Sequence, residues 1–314
     1  MDKNKILKIS MISILTIMLM VGVFGFNKYN TMKNPHQAFE EDLKRQEDTT
    51  GEDDGDAMEE SVLGKNVLNL LFLGVDSTET RETREMGYRS DTIMLVSMNL
   101  DTKKVRLLSI PRDSYTEVPG SRRKDKINHA MAFGGGPKRN GNQYAVEAVE
   151  GLLGIDVHYY VTMDLDAVKD VVDTIGDVTI EVERSMEYDG KRLAKGVQTL
   201  NGQQALVYLS NRNAPTGDFA RIQQQQNFMM ALFQQTKEKG KITDILPLYL
   251  RMQNKIFTDL NIEQIGALVL FLKDLNPKDI ETFTLRGNHM FIEDIYYLDI
   301  DGEYMEKILN TFFS

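Results

Sequence analysis

The chain has 314 residues, no cysteine and a formal net charge of −10. That length allows a membrane anchor plus one α/β domain with a sizeable core, since single domains of this class commonly reach about 200–250 residues. The missing cysteine excludes a disulfide framework and leaves the redox compartment open. Eleven acidic and two basic residues fall between Glu40 and Glu60, a local balance of −9, so the remainder is near neutral and offers no basic field for nucleic acid.

Ile9 to Phe26 contains no charged residue and follows Lys3, Lys5 and Lys8. At roughly 1.5 Å per helical residue it is just long enough to span a thin bilayer. The lysines keep residues 1–8 in the cytoplasm and send the bulk of the protein outside. Gly22-Val23-Phe24-Gly25-Phe26 offers no small-x-small cleavage site, which favours a retained anchor over 9–26 against a cleaved signal peptide. Residues 27–65 are polar, acidic and poor in β-branched side chains, the composition of a disordered stalk.

Val67 to Gly74 is a short apolar run with the length of a buried strand, and Asp76 lies just past its end. Thr92–Asn99 and Val105–Ile110 read as two further strands joined by the turn-rich link Asp101-Thr102-Lys103-Lys104. A hairpin brings Asp91 and Arg112-Asp113 to one sheet edge, where Pro111 marks the strand exit. Asp76 joins them if the first strand runs parallel to the third. Three signatures thus converge on one rim: Arg89-Ser90-Asp91-Thr92, Ser109-Ile110-Pro111-Arg112-Asp113 and Asp125-Lys126-Ile127-Asn128-His129-Ala130. Arginine, lysine and aspartate grouped in this way suit a metal-bound phosphate. Taken singly, such residues form surface ion pairs worth about 0–1 kcal/mol, so the argument rests on the set.

Gly134-Gly135-Gly136-Pro137 punctuates a loop and lacks the Gly-Lys-Ser/Thr ending of a P-loop. Asn142 is placed to cap a helix that ends at Gly154, a strand follows over Tyr159–Met163, and Asp164 or Asp166 opens a helix that stops at Gly176. Val178–Val182 alternates as a strand. Helices are expected at about Gly202–Leu209, Phe219–Lys239, Ile262–Leu272 and Ile300–Phe313, with one strand at Thr282–Leu285. This alternation gives an α/β layered domain over 66–239, with 240–314 as a C-terminal extension of helices and one strand packed on it.

His36, His129, His158 and His289 are scattered without a His-Glu-x-x-His spacing, and no Gly-x-Ser-x-Gly elbow occurs, which sets aside zinc and serine hydrolases. Asn128 and His129 read as loop-fixing residues. Met229 and Met230 read as core positions of an amphipathic helix.

The ordered set resembles the LytR-CpsA-Psr (LCP) proteins, membrane-anchored phosphotransferases of Gram-positive cell envelopes. It comprises Gly74-Val75-Asp76, the three signatures, Gly176 before Val178, Leu200-Asn201-Gly202-Gln203-Gln204-Ala205-Leu206 and Asp218-Phe219-Ala220-Arg221. The resemblance implies an α-β-α sandwich with a central mixed sheet and an apolar tunnel for a polyprenyl tail. It implies transfer of a glycopolymer, such as teichoic acid or capsular polysaccharide, from an undecaprenyl-pyrophosphate carrier to a peptidoglycan hydroxyl on the outer side of the membrane. Asp76 and Asp91 match the magnesium ligands, with manganese also acceptable to oxygen donors. Arg89, Arg112, Arg212 and Arg221 match the phosphate-binding arginines, and Lys126 and Gln225 complete the cradle. Asp91 or Asp113 is the candidate general base.

The chain departs from the family at three places. Ser210 and Gln224 stand where arginines are common, and Thr78 where a basic residue is often found. Each loss removes a charge-assisted hydrogen bond of about 1.5–3 kcal/mol. The alternative reading is therefore a binding protein for polyprenyl pyrophosphate or wall polymer that regulates envelope assembly without transfer.

Overall fold

The computed structural model describes residues 28–40, 66–75, 87–188, 190–211 and 218–313. The expected anchor over 9–26 lies outside these residues, and among those described no helix is long and apolar enough to cross a membrane. The elements are α1 (28–33), α2 (Pro35–Ala38), β1 (Val67–Val75), β2 (Ser90–Asn99), β3 (Val105–Ser109), β4 (Tyr115–Thr116), β5 (Asp125–Lys126), α3 (Ala130–Phe133), α4 (Gly141–Leu153), β6 (Tyr159–Asp164) and α5 (Leu165–Ile175). There follow β7 (Val178–Val182), β8 (Met186–Tyr188), β9 (Lys191–Leu193), β10 (Gly196–Leu200), α6 (Gly202–Ser210), α7 (Asp218–Glu238), α8 (Ile245–Arg251), β11 (Ile256–Thr258) and α9 (Ile262–Asp274). The last are β12 (Ile280–Thr284), β13 (Gly287–Ile292), β14 (Ile295–Ile300) and α10 (Gly302–Phe313).

Six strands form the central sheet in the order β11-β6-β1-β2-β3-β12. β2 runs antiparallel to both β1 and β3, so β1 and β3 are parallel, while β1–β6 and β3–β12 are parallel neighbours. The sheet is mixed, as expected. Strand alternation sends Leu71, Leu73, Ile93, Leu95, Leu108 and Ile110 to one face, under α4 and α10. Leu68, Leu70, Met94, Met98, Val105 and Leu107 face the other way, under α9 and α7. Both faces are covered, which explains why β1 reads as a continuous apolar run rather than an alternating one.

Three expectations need correction. Part of the expected stalk is ordered: 28–39 is largely helical and docks on α9, with Phe39 fully buried edge-on against Tyr159 at 5.6 Å, Met32 lying over Gly266 and Lys28 bonded to Glu263. A few anchors among polar residues suffice to fix a segment that composition alone assigns to solvent. The C-terminal region holds four strands instead of one, and two of them, β11 and β12, are the outer strands of the main sheet. Finally, Asn142 does not cap its helix, which starts at Gly141 after Asn140. Its amide instead donates to Pro137 O at 3.0 Å and accepts from Thr162 Oγ1 at 2.8 Å, tying loop to sheet. Asp164, of the two candidates, caps α5 by accepting from Asp166 N.

Buried Gln226 joins α7 to the sheet. Its Nε2 lies 2.8 Å from Ser109 Oγ, 2.9 Å from Phe283 O and 3.1 Å from Thr284 Oγ1. Gln226→Ala should cost about 1–3 kcal/mol by leaving these acceptors short of a donor; urea unfolding of the variant checks this, and an unchanged midpoint would contradict it.

Candidate functional site

The pairing of Met94 with Ser109 and Leu95 with Leu108 sets the β2–β3 register, and Ile110 N continues it by donating to Ile93 O at 2.9 Å. The start of β2 and the exit of β3 are thereby held side by side, and Arg112 Nη1 meets Asp91 Oδ1 at 2.5 Å. Pro111 starts a tight turn closed by Ser114 N and Ser114 Oγ on Pro111 O. This turn aims Asp113 at Lys126, whose Nζ lies 2.7 Å from Asp113 Oδ1. Lys126 arrives on the small β4–β5 ribbon, where it pairs with Tyr115. Asn128 N and Ile127 N fasten the next turn to Arg112 O and Ser114 O, while His129 pairs with Asp125 at 3.0 Å, in keeping with loop-fixing roles.

α7 supplies the opposite wall. Asp218, in its first turn, binds Arg221 and faces Arg112 Nε at 3.3 Å. Arg221 Nη2 also reaches Asp91 O at 3.4 Å. Arg112 is the hub, with Asp91, Asp218 and Asp113 all around its guanidinium, the last at 3.7 Å. Arg112 Nε and Asp218 Oδ2 are buried and make no hydrogen bond among the described residues, so a donor and an acceptor both face this corner with capacity left. Burial pushes the Asp218 carboxyl up against the opposing pull of Arg221 and Arg112. For Arg112 burial acts to lower the pKa, but Asp91, Asp218 and Asp113 outweigh it and hold the guanidinium above its ordinary value.

A raised folded-state pKa at Asp218 means that its protonated form is favoured by folding. Its contribution to stability is thus fully present below the unfolded value and is lost as pH rises through the folded one. Asp218→Asn should accordingly leave the melting temperature at pH 7 no lower than the parent's, by calorimetry. A marked loss would show that the arginines depend on its charge for stability.

The structure brings together Asp91, Arg112, Asp113, Lys126 and Arg221 of the expected set. Arg89 is exposed at the rim, and Gln225 is half-buried one helical turn from Arg221. Asp76 and Arg212 lie outside the described residues; Val75, next to Asp76, pairs with Ser90, next to Asp91. Gly74, opposite Thr92, has no room for a side chain, since a Cβ would meet Thr92 Cβ at 2.9 Å. That permits close approach where the register shifts. Two contributors escaped the sequence reading. Asp218 stood in a quoted motif without a role, and Tyr296, on β14, places its ring centroid 5.8 Å from Lys126 Nζ. Burial, then Asp113 and Asp218, raise the Tyr296 phenol pKa.

Among the described residues no three carboxylates or imidazoles converge on a metal position. A cation such as magnesium takes one or two carboxylates and fills its remaining sites with substrate oxygens or water. Asp91, with the orphaned Asp218 oxygen nearby, supplies hard oxygen donors of that kind, and in this chemistry the residues fit.

Along β2, β3 and α7, away from the charged corner, lies an apolar cavity of about 380 Å³. Val96, Leu107, Val161, Met229, Met230 and Leu268 are among its lining. Met229 and Met230 therefore border a void between helix and sheet.

The comparisons agree with this architecture. The model of the LytR_cpsA_psr family matches residues 23–314. The polyisoprenyl-teichoic acid–peptidoglycan teichoic acid transferase TagU of Bacillus subtilis is 29% identical over 98% of this chain and 96% of its own. TagU of Bacillus licheniformis is 32% identical over 76% and 75%. The crystal structure of Bacillus subtilis TagV superposes with a TM-score of 0.66 at 28% identity, covering 80% of this chain and 97% of that one. TagT bound to LIIa-WTA gives 0.64 at 28% identity, covering 83% and 95%. With the family's model matching nearly the whole chain, the protein belongs to the LytR_cpsA_psr family.

Proposed function

We infer that the chain is a phosphotransferase that moves a teichoic-acid-type or capsular glycopolymer from a polyprenyl-pyrophosphate carrier to a peptidoglycan hydroxyl at the outer face of the membrane. The observation that carries this is the shared scaffold: β2, β3 and α7 hold the Asp91–Arg112–Arg221 cluster at one end and line the apolar cavity further along. A polyprenyl pyrophosphate has the same layout, an apolar chain joined to a compact double anion. The relatives named as teichoic acid transferases support the glycopolymer. Residues 9–26 are taken as the anchor that keeps the site near lipid-borne donors.

Phosphoryl transfer is accelerated mainly by positioning and charge neutralisation. Arg112 and Arg221 present forked donors suited to phosphate oxygens, and Lys126 adds a point charge. Arg89, Arg212 and Gln225 belong to the same cradle in this reading. The acceptor oxygen attacks the glycan-bearing phosphorus, the bond to the lipid phosphate breaks, and the prenyl phosphate leaves. Asp91 or Asp113 takes the acceptor's proton. Asp76 and Asp91 would hold magnesium or manganese, which would add to the neutralisation of the pyrophosphate.

The non-catalytic reading draws on Ser210 and on Gln224, which is buried with its amide toward Met186 Sδ at 3.9 Å. Transfer by the parent chain excludes that reading, and Asp91→Asn tests the site. Transfer should fall by roughly 10²-fold or more with binding of undecaprenyl pyrophosphate retained, whereas unchanged transfer would remove Asp91 from the mechanism.

A further inference from the structure

The β13–β14 hairpin carries an aromatic surface from the edge of the phosphate cradle outward. Its strands turn through Glu293 and Asp294, both with positive φ (49° and 64°), the backbone form whose twist matches a two-residue hairpin. Phe291 and Tyr296 meet edge to face with centroids 5.6 Å apart. His289 Nδ1 lies 2.9 Å from the Tyr296 hydroxyl and steadies that ring. Phe291 is nonetheless 68% exposed. An aromatic ring left this open beside a charged corner is available to stack on a ligand.

The hairpin is fixed to the charged corner. Leu298 N donates to Asp113 O at 2.9 Å, and Tyr297 packs on Tyr115 with centroids 5.0 Å apart. The surface begins where the cradle ends, at Lys126. Its direction matters too. The apolar cavity lies on the face of the sheet covered by α7 and α9, whereas β14 leads into α10, which packs on the opposite face. In an in-line displacement the attacking and leaving oxygens stand on opposite sides of the phosphorus. With the leaving lipid phosphate toward the cavity, the attacking hydroxyl comes from the hairpin side.

We propose that Phe291 and Tyr296 form a stacking shelf for a sugar ring of the acceptor peptidoglycan strand, which presents its hydroxyl to the cradle. This rests on the transferase reading above. A pyranose carries a face of C–H groups that stacks on an aromatic ring, while its rim hydroxyls remain free for the polar corner. Phe291 supplies the outer ring and Tyr296 the inner one.

The test uses the full chain in detergent micelles and a peptidoglycan-type tetrasaccharide of alternating N-acetylglucosamine and N-acetylmuramic acid. Phe291→Ala and Tyr296→Ala should each weaken tetrasaccharide binding, measured by calorimetry, about five- to tenfold. Tyr296→Phe should retain most of it, and affinity for sugar-free undecaprenyl pyrophosphate should hold in Phe291→Ala, which lies clear of Lys126. In transfer, KM for the acceptor should rise by the same factor in Phe291→Ala while its KM for the donor stays constant. Unchanged tetrasaccharide binding in both alanine variants overturns the shelf, as does a rise in donor KM alone, which would give the surface to the donor glycan. If the parent chain fails to bind undecaprenyl pyrophosphate, the transferase reading fails and the shelf falls with it. Lipid binding without any effect of the alanine variants removes the shelf alone.

Discussion

Arg112→Ala is expected to abolish transfer, by about 10³-fold or more, the loss seen when an arginine that stabilises a phosphoryl transition state is removed. Arg112 contacts Asp91 at 2.5 Å and faces Asp218 at 3.3 Å and Asp113 at 3.7 Å. Removing it leaves these carboxylates crowded in a half-buried corner without their shared cation. The variant should therefore also lose roughly 2–5 kcal/mol of stability, the range for truncating one partner of a buried charge pair. Arg112→Lys separates the two effects. It keeps the charge and loses the fork, so unfolding should be near the parent's while transfer stays down by roughly 10²-fold, on the scale of one lost transition-state donor. Lysine restoring full transfer would contradict the role assigned to the guanidinium geometry.

Met230→Trp is the second large effect and acts at the other end of the site. Met230 lines the 380 Å³ cavity and lies two to three helical turns beyond Arg221 on the same helix. An indole there occupies space assigned to the prenyl chain without touching the charged corner. Each buried methylene is worth about 0.8 kcal/mol, so displacing two or more should weaken undecaprenyl pyrophosphate binding tenfold or beyond. Inorganic pyrophosphate should bind as in the parent, and the melting temperature should not fall, because the new side chain fills a void. Equal weakening of both ligands would place the disturbance in the cradle and leave the cavity without a role.

Much of the central sheet was legible because β1, β2 and β3 are long and apolar, and because the Asp101–Lys104 link has hairpin length. From that hairpin alone Asp91 and Arg112 had to meet, and they do. The outer strands were not legible. Ile256-Phe257-Thr258 is too short to show a period, and β11 exists because β6 offers it an open edge. The β13–β14 hairpin escaped because Glu293-Asp294 carries neither asparagine nor glycine, the usual sign of a turn with two positive φ values. Tyr296 was hidden with it, since nothing local links β14 to Lys126. Asp218 could be seen as part of a motif, but its bridge between Arg112 and Arg221 depends on how α7 lies against the sheet. Similarly, 28–39 reads as polar linker until Phe39 finds Tyr159. In each case long-range packing decided what local composition left undetermined.

Transfer itself is the most direct measurement. Full-length protein in detergent would be incubated with magnesium, an undecaprenyl-pyrophosphate-linked glycan and peptidoglycan fragments, and the products read by mass spectrometry. The expected result is a glycan joined to peptidoglycan through a phosphodiester, with undecaprenyl phosphate released in equal amount and both products missing in Asp91→Asn. Tight lipid binding with no such product, across teichoic-acid and capsular donors, would contradict the transferase and leave a lipid-binding protein in its place.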